Sequence, residues 1–312
     1  MKVFIATLVI ALAATFSFGQ APTLRIQADD GPNLPANLFY GDIKVKPLRL
    51  RPGTNIAITI QDADFFVTTH YTDFLSRFPE AAGLLFWQNE ITGCGADAAC
   101  IELKRVNVSG AFFLSIEFQE TGYLVYKMNK AAFGNLPGKP VPVRRDTFMP
   151  DARTIANGVI VGVGNWQAQL EANKQAFALA FVQRPQFLTA FPNTLMAAEI
   201  VDKMNTNAGN VLSTGERSTL IGMLSSPGDV NQRAQVLRSI AENANLHQQE
   251  FNKAFVLMQY FGYLRRNPDD APDTGFGGWQ FWLDKLNANN GNFVQAEMVK
   301  AFIVSGEYLN RF

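Results

Sequence analysis

The string Leu286-Asn-Ala-Asn-Asn-Gly-Asn-Phe-Val-Gln-Ala-Glu297 places Gly291, Phe293 and Glu297 at the sixth, eighth and twelfth positions of a helix-loop-helix calcium loop. Its first and third positions are Leu286 and Ala288, which carry no ligand oxygen, whereas calcium takes about six to eight. A turn between helices is therefore expected there. The stretch Asn267-Pro-Asp269-Asp270-Ala-Pro-Asp273 offers three carboxylates. A calcium ion weakly held by Asp269, Asp270 and Asp273 is the alternative to a solvated turn capping the next helix. No other cofactor is expected.

Cys94 and Cys100 are the two cysteines of the chain. A zinc site needs about four ligands, and the two histidines, His70 and His247, are distant in sequence, so a local disulfide is expected over a metal pair or a redox site. His70 reads as the polar edge of a helix and His247 as part of a Gln- and Glu-rich turn. Neither sits in a catalytic pattern, and no Gly-x-Ser-x-Gly or His-Glu-x-x-His occurs. Gly162-Val-Gly164 lacks the third glycine and the βαβ setting of a nucleotide loop. Asn107-Val-Ser109 has the form of a glycosylation acceptor but reads as a cap before a helix. No spacing of Asp and Glu singles out a glycosidase pair.

The chemistry-bearing residues that recur are of another kind. Tyr71, Leu75, Arg77 and Pro79 return as Tyr260, Leu264, Arg266 and Pro268. An acidic residue follows each proline, then a glycine and a Phe-Trp pair, Phe86-Trp87 or Phe281-Trp282. Each copy closes on an octet, Ala-Phe-Phe-Leu-Ser-Ile-Glu-Phe at 111–118 and Ala-Phe-Ile-Val-Ser-Gly-Glu-Tyr at 301–308. Tyr71, Trp87, Tyr260 and Trp282 read as packing anchors. The Arg before each proline and the Glu of each octet are expected to meet as ion pairs, Arg77 with Glu117 and Arg266 with Glu307. Solvated residues inherited through a duplication are the alternative.

These residues need helices to position them. Val67, Tyr71, Phe74 and Leu75 share one helical face, and Val256, Tyr260, Tyr263 and Leu264 repeat it, with Pro79 and Pro268 expected to stop the two helices. The octets are expected to be helical throughout, with Ala111, Ser115 and Phe118 on one face. Residues 20–62 read as a short β-rich lead-in, 63–135 as a first helical unit, and 136–187 as a linker with a short strand at Gly158–Gly164 and a helix. Residues 188–251 read as a degraded second unit and 252–312 as a third. Before the second lies a weakened octet, 180–187, with Arg184 in the Ser place. Helices are expected from Ala197, Glu216 and Arg233, the second opened by a Ser213/Glu216 capping box. The fold class is mainly α, with repeated helical units behind a small β-containing N-terminal segment.

Lys2 precedes an apolar run, Val3 to Phe18, at whose end Ser17 and Gly19 offer small residues for a cleavage site, which reads as a signal peptide over 1–19. The expected protein is secreted or held at the cell surface, with no stable membrane insertion, because no later stretch approaches the roughly 20 apolar residues of a span. Lys plus Arg equals Asp plus Glu at 27 each, so nothing drives contact with nucleic acid. The 26 Phe and four Trp read as core, with Trp166, outside the repeats, as a candidate surface contact.

Taken together, Tyr-x3-Leu-x-Arg-x-Pro-acidic, then Gly and Phe-Trp, then Ala-Phe-x2-Ser-x-Glu-aromatic resembles the bacterial secreted family known as domain of unknown function four-two-one-four. That family is in turn distantly similar to the helical domain of phycobilisome linker proteins. The resemblance covers 63–127 and 252–312 well and the middle weakly. It implies an all-α domain without established catalytic residues. The expected function is an exported, non-enzymatic interaction or structural module at the cell surface or in the extracellular matrix, whose partner is a protein or glycan of the cell envelope. A secreted hydrolase of surface polysaccharide and a carbohydrate-binding module are the alternatives.

Overall fold

The computed structural model describes residues 49–312 throughout and, ahead of them, the backbone of three short strands, β1 (Leu24–Ala28), β2 (Ala36–Tyr40) and β3 (Ile43–Val45). They pair antiparallel in the order β1-β2-β3. The signal-peptide reading lies outside the described residues. The β-branched run Ile56–Ile60, within the segment read as a β-rich lead-in, makes one bridge among the described residues, Leu50 to Ala57. Asp62 accounts for this: its carboxylate accepts from the Thr59 backbone N–H at 2.7 Å and from Arg51, bending the chain into the first helix.

The rest of the described chain is mainly α. The first motif copy lies on α1 (Ala63–Phe74), α2 (Ala81–Thr92), α3 (Ala98–Leu114) and α4 (Ile116–Glu120). The middle comprises α5 (Gly122–Phe133), α6 (Arg145–Ala156), α7 (Trp166–Phe181), α8 (Pro185–Ala190), α9 (Ala197–Ala208), α10 (Thr214–Met223) and α11 (Val230–Ala241). The second copy runs along α12 (Ala244–Met258), a π-helical turn (Gln259–Leu264), α13 (Gly277–Ala288), α14 (Met298–Ile303) and α15 (Gly306–Leu309).

Helix α5 is the axis of the core. It is buried almost all round, from Gly122 to Ala132, and packs against α4, α6, α9, α11 and α12. Its polar atoms are satisfied inside the protein, as burial demands. The Tyr126 hydroxyl donates to Glu250 at 2.7 Å, and that of Tyr123 donates to the His247 carbonyl at 2.6 Å. The Ser213/Glu216 capping box opens α10, where it was expected.

Several local expectations are corrected. The octets are not continuous helices: Ser115 and Ser305 are extended, at φ −62°, ψ 146° and φ −64°, ψ 146°, and each caps a new short helix. Each hydroxyl accepts from the N–H three residues on at 3.1 Å and donates to the carbonyl three residues back at 2.8 Å. The serine thus competes with the helical ladder and wins. In the middle octet Arg184 adopts φ −63°, ψ 142°. There Pro185 disfavours the helical conformation of the residue before it, so proline replaces the serine's effect.

Nor do Pro79 and Pro268 end the helices. Ser76 and Arg265, at φ 55° and 53°, turn left-handed three residues earlier. The N–H groups of Arg77 and Arg266 then bond back to the carbonyls of Tyr71 and Tyr260. The 136–187 region, read as a linker with a short strand and a helix, holds two full helices, α6 and α7. Gly158–Gly164 forms turns rather than a strand, with Gly158, Gly162 and Gly164 all at positive φ.

Candidate functional site

The two motif copies build the same station. In the first, Arg77 forks onto Glu117, Nε to Oε1 at 2.7 Å and Nη2 to Oε2 at 2.8 Å, and donates Nη1 to Glu80 at 2.7 Å. In the second, Arg266 forks onto Glu307 at 2.5 and 3.0 Å and adds Asp273 at 2.8 Å. Each guanidinium lies over a tyrosine ring, Tyr71 at 4.9 Å and Tyr260 at 5.3 Å. Each tyrosine meets a phenylalanine edge-on, Phe112 at 4.9 Å or Phe302 at 5.1 Å, and Trp87 and Trp282 back those rings, each at 5.8 Å. Burial pushes both tyrosine hydroxyls up to about 12, so neither ionises near neutral pH.

The copies differ in burial. The Glu117 side chain is 5% exposed and that of Glu307 34%. Burial alone would lower the Arg77 pKa, but Glu117 and Glu80 overcome it and raise it.

Cys94, in the turn after α2, and Cys100, in the first turn of α3, form a disulfide. The carboxylates of the calcium candidate point at cations: Asp269 at Lys139 and Arg144, Asp270 at Arg144, and Asp273 at Arg266. That geometry commits to Lys and Arg the oxygens a calcium ion would take. In the 286–297 string, Leu286 is buried inside α13 and Glu297 faces Lys285. Among the described residues, no cluster of His, Cys, Asp or Glu could hold a metal ion. No described helix is long and apolar enough to cross a membrane.

The histidines are not where sequence reasoning put them. His70 is in the core, 1% exposed; its Nδ1 bonds to the Phe66 carbonyl and its Nε2 to Ser109 Oγ, at 2.7 and 2.8 Å. Ser109 lies mid-helix in α3 rather than at a cap. A serine beside a histidine invites a nucleophilic reading, which two observations defeat. The orienting partner of Nδ1 is a carbonyl and not a carboxylate, and both side chains are sealed from substrate. Burial drives the His70 pKa down to about 4, so the imidazole is neutral. His247 belongs to α12, not to a turn. Trp166, proposed as a surface contact, packs its ring partly against the core.

Sequence reasoning missed a buried charge cluster. Asp73, on α1, accepts from Arg265 at 2.8 and 3.1 Å and from Arg311 at the same distances. One carboxylate thus joins two guanidiniums across the junction between the motif copies. Arg265 and Arg311 carry no repeat counterpart in the first copy that could have flagged them: the matched positions are Ser76 and Thr121.

A concavity adjoins this cluster at Arg265. A cavity of about 580 Å³ lies between α6 and the turn after Leu264. Arg144, Arg145 and Arg153 line one wall and Arg265 and Arg266 the other, against two aspartates, Asp146 and Asp270. A smaller cavity, about 230 Å³, lies at the first station among Tyr71, Arg77, Trp87 and Glu117.

No family model matches the chain, and no curated protein or solved structure matches it.

Proposed function

We propose that the protein is an exported, non-enzymatic interaction or structural module of the cell surface or extracellular matrix. In this reading, three helical units, 63–135, 188–251 and 252–312, stand behind a small β-containing N-terminal segment. Their kinship is with the secreted family named from the repeated motif.

One observation carries the reading. The residues that recur with chemical potential, Arg77, Glu117, Arg266 and Glu307, are fully engaged in clamping a helix to its neighbour. A clamp built twice from the same residues is the behaviour of packing and not of a reaction centre. What the two stations leave outward is apolar: Phe86 and Phe281, at matched positions, are each 57% exposed. Exposed aromatic surface at repeated positions suits contact with a partner.

The test uses the purified chain without residues 1–19. Incubation with polysaccharides from the cell envelope should generate no new reducing ends, while the chain is retained on the envelope fraction. Turnover of any of those polysaccharides would replace the module with the hydrolase.

A further inference from the structure

We infer that the cavity at the first station, walled by Tyr71, Trp87 and Phe112, is a binding site for a small quaternary ammonium compound. At about 230 Å³ it is smaller than the roughly 300–1,000 Å³ of drug-sized ligand sites and suits a compact ion. Val161, from the turns at 158–164, lines it from outside the motif copy.

The charge of the station is unbalanced. Arg77 is its one cation and faces two carboxylates, Glu117 through both oxygens and Glu80 through Oε2. Among the described residues no other lysine or arginine pairs with Glu80 or Glu117, so one negative charge is left over. The Tyr71 hydroxyl registers the same count: besides burial, Glu80 raises its pKa, Arg77 lowers it and Glu117 raises it again. A cation is the ligand that answers such an excess.

Trp87 offers the surface to receive it, since tryptophan is the best aromatic partner for a cation. The ring is half-buried and lines the cavity, and among the described residues no lysine or arginine lies over it. The second copy shows the contrast. There Lys285, three residues after Trp282, holds its Nζ 5.3 Å from the centre of that ring. The residue three after Trp87 is Glu90, which bonds to Lys104 at 2.7 Å. The first copy therefore lacks the cation that the second supplies from its own helix.

The hydrogen-bonding inventory selects a methylated cation over a primary one. A primary ammonium brings three N–H donors, each of which needs an acceptor when buried. Both Glu117 oxygens already accept from Arg77, and the Ser115 hydroxyl already donates to the Phe112 carbonyl and accepts from the Phe118 N–H. Leu75, Ile116 and Val161 add apolar wall. Methyl groups on nitrogen suit that lining and ask for no acceptor.

The site stands apart from the non-enzymatic reading, because cleavage of an envelope polysaccharide would leave it in place. Titration of the isotope-labelled chain with choline is the experiment, followed by nuclear magnetic resonance at the indole N–H signals of the four tryptophans. The Trp87 signal, assigned by its loss in Trp87→Phe, should move and saturate. Ethanolamine, which lacks the methyl groups, and dimethylbutanol, the neutral isostere of choline, should each bind about tenfold more weakly. Glu80→Gln, which removes the surplus charge and keeps the Arg77–Glu117 fork, should weaken choline about fivefold. Glu90→Lys, which copies the arrangement of the second copy, should weaken it by a similar factor of about five as the new ammonium competes for Trp87. Unchanged signals from the other indoles show that both variants are folded. A Trp87 signal that stays still at roughly 100 mM choline, equal binding of dimethylbutanol, tighter binding of ethanolamine, or indifference to both Glu80→Gln and Glu90→Lys would each overturn the site.

Discussion

Phe74 occupies the space that a side chain on Gly262 would need: a Cβ built there stands 2.6 Å from the Phe74 ring. The contact is returned from the other direction, since a Cβ on Gly110 would stand 2.5 Å from the ring of Phe293. Each motif copy therefore receives a phenylalanine of the other at a glycine. Overpacking a close-packed contact costs roughly 1–3 kcal/mol. Gly262→Ala is expected to lower the denaturant midpoint by that much, and Phe74→Leu introduced with it should recover part of the loss. A Gly262→Ala protein as stable as the parent would show that the two copies are not interlocked here.

The two arginine forks should differ in strength. Glu117 is almost wholly buried, and its removal leaves Arg77 with Glu80 and the Phe78 carbonyl and takes away its fork, so Glu117→Ala should cost about 3–5 kcal/mol. Glu307 is a third exposed, and Arg266 keeps Asp273 and two carbonyls, so Glu307→Ala should cost about 1 kcal/mol. Equilibrium unfolding of both variants measures the difference, and equal losses would contradict the burial argument.

His70 sets a pH dependence whose direction is fixed by its burial. The unfolded imidazole binds a proton near pH 6.5, whereas the folded one, beside the charges of Asp73, Arg105 and Arg311, binds it only near pH 4. Between those values the unfolded chain holds the extra proton. Stability from the neutral histidine is thus complete above pH 6.5 and declines as pH falls towards 4, by roughly 3 kcal/mol. Gln259, the matched residue of the second copy, bonds to the Phe255 carbonyl four residues back, as His70 does to Phe66. His70→Gln should therefore fold and lack this component. Unfolding of parent and variant at pH 7 and pH 4 gives the difference, and parallel pH profiles would reject it.

What the sequence disclosed followed from local physics. Apolar period placed α1 and the Tyr260 face, a serine and a glutamate three residues apart placed the start of α10, and identical spacing brought Arg77 towards Glu117. The misreadings occurred where a local competitor or a distant partner decided. Ser115 looks like a small residue on a helix face until its hydroxyl is seen bonding its own backbone. Ser76 and Arg265 are non-glycine residues in the left-handed region, a conformation for which neither residue type gives a signal. The Arg265–Asp73 and Arg311–Asp73 contacts span 192 and 238 residues, beyond any spacing rule.

Asp73 is the residue on which the junction of the two copies should most depend. Burial by itself would raise its carboxyl pKa, but Arg265 and Arg311 outweigh burial and hold it below the usual carboxylate range. Its stabilisation is therefore complete above about pH 4 and is lost as pH falls through the lowered folded value. Asp73→Ala leaves two guanidiniums in the core without their carboxylate and should cost about 3–5 kcal/mol or more. Arg311→Met should cost less, since Arg265 still holds the carboxylate, although the Gly262 and Tyr263 carbonyls lose a donor. Because the residues form one network, the double variant Asp73→Ala/Arg311→Met should be more stable than the sum of the single losses implies, by at least about 1 kcal/mol. A double-mutant cycle from urea unfolding at pH 7 measures that coupling. Strict additivity, or an Asp73→Ala cost under about 1 kcal/mol, would mean that the buried cluster does not join the copies and that their apolar contacts alone hold them together.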